Sequence, residues 1–519
     1  MSPRPSIGSS VREVTDAPAA GRTGELLRLD PGLRDGLPAL AVFVALVATA
    51  FENGGFFSGS WAAAAVGFLW LIAVALLLGL RVELTALEWA WIGSFAGFVV
   101  WTAFSAAWSV NPTESLLEAR RALVYLAAVG AIVLLSTRRS PPYVLGAVIT
   151  AAGVVITYGL ARYLVAFERR PDEFQGNLLF RPLGYANAMG ILAGLGIVLA
   201  VGFAVRAPSQ GLRALAAASV APFAAAIWLS SSRASAVAVA VGLGTMLLLD
   251  RDRMQLVGAL IVLGPIAAAI VALSARARLS GPTAAENHAR LLALGIVLAA
   301  AVAALACPAA EKVRRQIARA PRRWRFSAGA FLACAVVVGA LAHARVERFF
   351  TTGYRPAYWH VAWREFAAHP WLGSGAGTFG DYWTHYGKLT LAGGALDAHN
   401  LYLETLAEVG SLGLVVLASI LILPLVAALR VRFHPLTSMA TGAYVVFLAH
   451  VALDWDWEMP TVTLAALACA AAVVVANREP AASPVLSSTG RAVVVSLAVG
   501  LAVFALVAQL APGLGGTGP

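Results

Sequence analysis

Residues 184–205 read GYANAMGILAGLGIVLAVGFAV, an apolar run without a single charged side chain. A helix rises about 1.5 Å per residue, so a run of this length spans the hydrocarbon core of a bilayer. Similar runs recur at approximately 38–57, 61–80, 86–107, 119–136, 144–167, 212–230, 234–249, 254–274, 289–308, 326–343, 410–429, 437–453, 461–477 and 492–511. Composition agrees: 60% of the 519 residues are hydrophobic, 13% are charged and the mean hydropathy is +0.78. A soluble globule needs far more polar surface. The expected fold is all-α, a polytopic transmembrane helical bundle of about 12–15 spans.

Charge orients the bundle. With the N-terminus in the cytoplasm, the inward connections carry Arg81, Arg138, Arg139, Arg206, Arg213, Arg251, Arg253 and seven basic residues between Lys312 and Arg325. Adding the tail 1–37 and Arg430, Arg432, Arg478 and Arg491 places 23 of the 38 Lys and Arg inside, as the positive-inside rule requires. The net charge of +11 is therefore topological, and no nucleic-acid partner is implied. The cysteines Cys307, Cys334 and Cys469 lie in or beside apolar spans and show neither a disulfide nor a zinc pattern. The expected organisation is a disordered cytoplasmic tail (1–37), a transmembrane bundle (38–343), a large extracytoplasmic loop (344–409), C-terminal transmembrane helices (410–511) and a tail (512–519). The abundance of Ala and Arg with only two lysines points to a GC-rich, bacterial source.

The loop 344–409 carries the chemistry. It is aromatic and Gly-rich, holds His360, His369, His385 and His399, and ends in DAHNLYLETLAEVG. Tyr358, Val361, Ala362 and Phe366 stand at helical spacing, a face suited to the membrane surface. Gly373, Gly375 and Gly377 permit either close backbone approach to a ligand or a tight turn. The segment 397–408 reads as a helix capped by Asp397 or Asn400, with His399 in its first turn. Between the last spans, Asp454, Asp456 and Glu458 in DWDWEMP read as a solvated acidic turn flanked by interfacial Trp455 and Trp457, with metal binding as the rival.

Several segments together resemble the O-antigen ligase and O-antigen polymerase (Wzy_C-type) family. They are Arg355 with Trp359, HPWLGSGAGTFGDY, AHNLYLETLAEVGSLGL, SAAWSVNPTESLLEARRAL (105–123), RPLGYANAMG (181–190) and LSSSRASA (229–236). The resemblance implies a GT-C-like, metal-independent inverting glycosyltransferase of the cytoplasmic membrane without a cofactor. Its donor would be a polyprenyl-diphosphate-linked glycan, its acceptor a glycan, lipid or protein, and membrane lipid its surroundings. By the same resemblance His399 is catalytic and Arg233 and Arg355 bind the diphosphate. Arg181, Arg364, Asn400 and Tyr402 are further candidate substrate contacts, and Asn187 is given no role. Physical chemistry supports the roles: charge accumulates on the departing diphosphate, arginine binds phosphate through a bidentate fork, and a histidine near neutrality can take the acceptor proton. Span counting puts Arg233, Arg355 and His399 on one side of the membrane.

Other readings differ in acceptor or in class. A polysaccharide polymerase or a protein O-oligosaccharyltransferase would share the donor site. A transporter of a polar solute or lipid-linked sugar would need ionisable groups near the midplane, where this sequence has almost none.

Overall fold

The computed structural model describes residues 30–167, 172, 175–279, 285–319, 354–387, 394–432, 434–478 and 485–510. Within them the chain is helical throughout. The bundle comprises α1 (Pro31–Phe51), α2 (Ser58–Leu77), α3 (Ala86–Ser105), α4 (Pro112–Leu135), α5 (Pro141–Leu160), α6 (Ala186–Arg206), α7 (Gln210–Leu229), α8 (Arg233–Leu249), α9 (Arg253–Ala277) and α10 (Glu286–Ala306). The basic helix α11 (Ala309–Arg319) follows, then three loop helices, α12 (Arg355–Ala368), α13 (Phe379–Tyr386) and α14 (Leu401–Glu408). The bundle resumes with α15 (Gly410–Arg430), α16 (Thr437–His450), α17 (Pro460–Val475) and α18 (Ser488–Leu510). The all-α membrane class is as expected. Ten of the described helices are long and apolar enough to cross a membrane, and α8 and α17 are shorter apolar helices. The expected span 326–343 lies outside the described residues. The first helix begins at Pro31, inside the stretch assigned to the tail, because Asp30 accepts the Gly32 amide at 2.8 Å and Pro31 occupies its first turn.

Helices apolar all round lie at the centre. Every residue of α17 is buried, as is most of α6. Small residues bring these and their neighbours into close contact, as in membrane helix pairs generally. At the α8–α16 crossing a Cβ on Gly242 would lie 2.7 Å from the Gly442 carbonyl oxygen. Larger side chains there would force the two helices apart.

The ends of the bundle differ. One end gathers the α2–α3, α4–α5, α6–α7, α8–α9, α15–α16 and α17–α18 connections, with Arg81, Arg138, Arg206, Arg251, Arg432 and Arg478. The opposite end carries the α5–α6 and α7–α8 junctions, the turn 451–459 and the loop helices. These contact one another through the Leu401 amide to Val451 O (2.9 Å) and the Leu179 amide to Leu229 O (3.0 Å).

The loop helices form a small body with its own core of Val361, Ala362, Phe379, Trp383, Ala395, Ala398 and Ala407. Val361 and Ala362 therefore face this core rather than a membrane surface, which corrects the sequence expectation for α12. The glycine run serves contact between chain segments. Gly373, Gly375 and Gly377 have φ of 73°, 118° and 74°. A Cβ on Gly373 would meet Glu408 O at 2.2 Å, and one on Gly375 would meet Ser109 Oγ at 2.2 Å. Two buried carboxyls secure the turn. Glu408 accepts the Gly377 and Phe379 amides at 2.8 and 3.0 Å, capping α13. Glu365 accepts the Ser374 and Thr378 hydroxyls at 2.5 and 3.1 Å, and burial raises its pKa to about 7 against these two bonds.

Candidate functional site

Five segments distant in sequence meet at the loop-bearing end, and Asp454 is where most of them join. Its side chain is fully buried, so each lone pair needs a donor. The Tyr185 hydroxyl donates to Oδ1 at 2.6 Å. Asn187 Nδ2 and Arg355 Nη2 donate to Oδ2 at 2.5 and 2.9 Å. Burial alone would raise the Asp454 pKa, but Arg355, then His399 and His450, outweigh it and hold the carboxyl below its usual value. Asp454 is thus held by one arginine and two neutral donors.

Arg355 occupies the first position of α12. Its Nε donates to Leu453 O at 2.6 Å and its Nη2 to Asp454, which fixes the guanidinium plane. Its side chain is still 35% exposed, and Nη1 makes no hydrogen bond among the described residues. The fork keeps an open donor.

His399 sits just ahead of α14, not in its first turn. Asn400 caps the helix by accepting the Leu403 amide at 3.0 Å, and the helix begins at Leu401. His399 has φ of 52°, a left-handed conformation costly for a side-chain-bearing residue and one that cannot continue into the helix. The imidazole is flanked on both sides: Nδ1 lies 2.5 Å from Asp397 Oδ1, a close contact outside hydrogen-bond geometry, the His399 backbone amide donates to the same oxygen at 3.0 Å, and the Tyr358 ring packs against the imidazole at 5.0 Å between centroids. Burial pulls its pKa down, but the close contact with Asp397 and the charges of Asp397 and Asp454 more than offset this, and the net shift is upward. An imidazole flanked in this way presents Nε2 in a defined direction, as a base or donor requires.

Arg233 is the first residue of α8, half-buried, with no hydrogen bond or ion pair among the described residues. Ser232 ahead of it caps the helix by accepting the Ser235 amide at 3.3 Å. The Ser230–Ser235 turn packs against α6 without slack: a Cβ on Gly190 would lie 2.6 Å from Ser232 Cβ and 2.8 Å from Ser235 Oγ. Gly190 belongs to the helix whose start carries Tyr185 and Asn187. The 181–190, 229–236, Arg355, 397–400 and DWDWEMP segments therefore form one assembly.

The other sequence candidates stand apart or serve structure. Arg181 is exposed over the Phe180 ring at 5.5 Å, and Arg364 is exposed over Tyr386 at 4.3 Å. Asn400 is the helix cap. The Tyr402 hydroxyl donates to Leu448 O at 2.8 Å, docking α14 on α16.

The acidic turn is not solvated. Asp454 and Asp456 are fully buried, and Glu458 pairs with Arg121 at 3.0 Å. Charge is admitted here because Arg355, His450 and Arg121 wait to receive it, information that local composition lacks. Among the described residues no group of three His, Cys, Asp or Glu side chains is arranged to hold a metal ion. Sequence reasoning missed Tyr185, Asn187, His450 and the role of Asp454. The available signal was ionisable residues at 450, 454 and 456 where an apolar span ends, which in a membrane protein points to function.

No curated protein matches this sequence. Residues 285–418 match the family model Wzy_C, described as O-Antigen ligase; they contain Arg355, Arg364, His399, Asn400 and Tyr402 and stop short of Asp454, and by this match the chain carries an O-antigen ligase family domain.

Proposed function

We propose that the protein is a glycosyltransferase that moves a glycan from a polyprenyl-diphosphate carrier to an acceptor hydroxyl at the outer face of a bacterial cytoplasmic membrane. The observation that carries this reading is that, at one end of a membrane bundle, His399 beside Asp397 stands near Arg355, and the turn that carries Arg233 packs into the same assembly, both arginines having open donors among the described residues. His399 takes the acceptor proton as the acceptor oxygen attacks the anomeric carbon. The bond from that carbon to the phosphate oxygen breaks, and the electron pair leaves on the carrier diphosphate. Arg233 and Arg355 bind the growing charge through planar forks. Attack opposite the leaving group inverts the anomeric centre. The arginines take the part that a divalent metal plays elsewhere, so turnover should persist in excess chelator.

The test is transfer by purified protein in lipid nanodiscs, using an undecaprenyl-diphosphate-linked oligosaccharide and a hydroxyl acceptor from the producing strain. Turnover in EDTA, with undecaprenyl diphosphate released, is the expected result. Turnover that stops in EDTA and returns with Mg²⁺ would overturn the arginine account. A deletion strain with unchanged surface glycans and no accumulated lipid-linked donor would overturn the function itself.

A further inference from the structure

His450 ends α16 in complete burial and takes no part in the chemistry described above. Its Nδ1 lies 2.5 Å from Asp456 Oδ2, and its Nε2 lies 3.0 Å from Ser235 Oγ and 3.5 Å from Ser232 Oγ. Ser232, Ser235, His450 and Asp456 are each at most 1% exposed. A serine so enclosed is no nucleophile for a glycan. The order of groups, hydroxyl to imidazole to carboxylate, instead makes a rigid strut between two turns.

Each turn carries one piece of the site. Arg233 lies between the two serines in sequence, and Asp454, which holds Arg355, lies two residues before Asp456. Asp456 meets His450 in a close contact outside hydrogen-bond geometry and has no other side-chain partner among the described residues, and the Asp454 carboxyl on the same turn also lies within the electrostatic reach of His450. Without the imidazole the buried Asp456 side chain would lose its nearest polar neighbour, and the turn would have to move to rehydrate it. The close α8–α16 crossing at Gly242 and Gly442 holds the middle of the same helix pair. His450 therefore fixes the angle at which α8 presents Arg233.

We propose that His450 is a positioning residue that ties the Ser232–Ser235 turn to the Asp454–Asp456 turn, so that Arg233 and Arg355 bind one diphosphate together. This rests on the donor reading given above. A role in stability alone would leave anion affinity untouched, and the two can be separated by a mutant cycle.

The experiment measures the affinity of the full-length protein in detergent for undecaprenyl diphosphate and for inorganic pyrophosphate, with a thermal melt of each variant. His450→Gln should weaken both ligands by about tenfold, and Ser235→Ala, which removes a single hydroxyl, by about threefold. Arg233→Ala should also weaken binding by about tenfold in the native background, yet by less than about threefold when added to His450→Gln, because a mispointed arginine has little left to lose. Native protein that binds the ligands, with unchanged affinity in both His450→Gln and Ser235→Ala or with full additivity against Arg233→Ala, overturns this inference alone. Native protein that binds neither ligand overturns the diphosphate reading and this inference with it. Ser235→Ala keeps the test open should His450→Gln fail to fold.

Discussion

Arginines at the two ends of the bundle are built to opposite plans. At the basic end Arg478 is 6% exposed and bonded through each of its three nitrogens: Nε donates to Glu88 Oε1 at 2.7 Å, Nη2 to Val133 O at 2.7 Å and Nη1 to Ser136 O. Glu88 is itself fixed in a capping box with Thr85, and Arg206 is likewise paired with Asp250, which Ser438 also holds. At the loop-bearing end Arg355 keeps Nη1 open, and Arg233 has no partner among the described residues. A guanidinium with every nitrogen bonded to protein is a brace. One that is oriented by two bonds and left open at the third is prepared for a ligand.

Replacing His399 with Ala should separate the two ends most sharply. The change should lower kcat by about 10²- to 10⁴-fold, the range for removal of a general base, while the melting temperature stays near that of the native protein. Near-native turnover in this variant would make the loop-bearing end as purely structural as the other.

Next come the arginines themselves. Arg355→Ala and Arg233→Ala should each slow transfer by about 10²-fold, with Lys recovering part of the loss because it restores charge but not the planar fork. Arg478→Ala should instead cost about 3–5 kcal/mol of stability by orphaning buried Glu88, and the surviving folded fraction should turn over at the native rate. A set of melts and rates on these three variants decides. If Arg233→Ala unfolds the protein or Arg478→Ala slows the folded fraction, the division between brace and ligand site collapses.

A smaller effect is carried by pH. The His399 pKa is raised, so the form able to accept a proton gains population only above the ordinary imidazole value of 6.5. Transfer should rise with pH through a midpoint above that value. In Asp397→Asn the carboxylate contact and the charge that raise the pKa are gone and burial dominates, so the midpoint should move below 6.5. A midpoint that does not move in kcat–pH profiles of the two proteins would remove Asp397 from the His399 account.

Legibility in the sequence followed the range of the forces involved. The spans were readable because a bilayer demands about twenty apolar residues in a row, a purely local requirement, and the basic end was readable because charge bias acts loop by loop. Motif singled out His399 and Arg355, which the fold brings to the same end of the bundle, and the helix after Asn400 was legible through its cap. Asp454 and Asp456 were misread because a carboxylate flanked by tryptophans looks interfacial until Arg355 and His450 are known to approach it. Asn187 was set aside on the pair of residues before it, although its amide reaches Asp454 across 267 positions of sequence. The three loop glycines offered a turn or, less favoured, a ligand; the Glu408 carbonyl and the Ser109 side chain, each 2.2 Å from a would-be Cβ, fill the space.

The last prediction concerns the loop's own framework, where no change in transfer at neutral pH is expected. Glu365 is fully buried in α12, its Oε2 has no partner, and its pKa is raised to about 7. The folded protein therefore holds a proton there that the unfolded chain, at the ordinary glutamate value of 4.5, has already released. Between these two values the native state binds more protons, so this group lowers stability as pH rises, and the loss is complete above about 7. The full effect is on the order of 3 kcal/mol. Glu365→Gln mimics the protonated form and keeps an acceptor for Ser374 and Thr378, so it should flatten this part of the profile and raise the melting temperature at pH 8. Melts of both proteins between pH 4 and pH 8, followed by tryptophan fluorescence, test it. Parallel profiles would mean that Glu365 is ionised in the fold, with its charge met by the two hydroxyls alone.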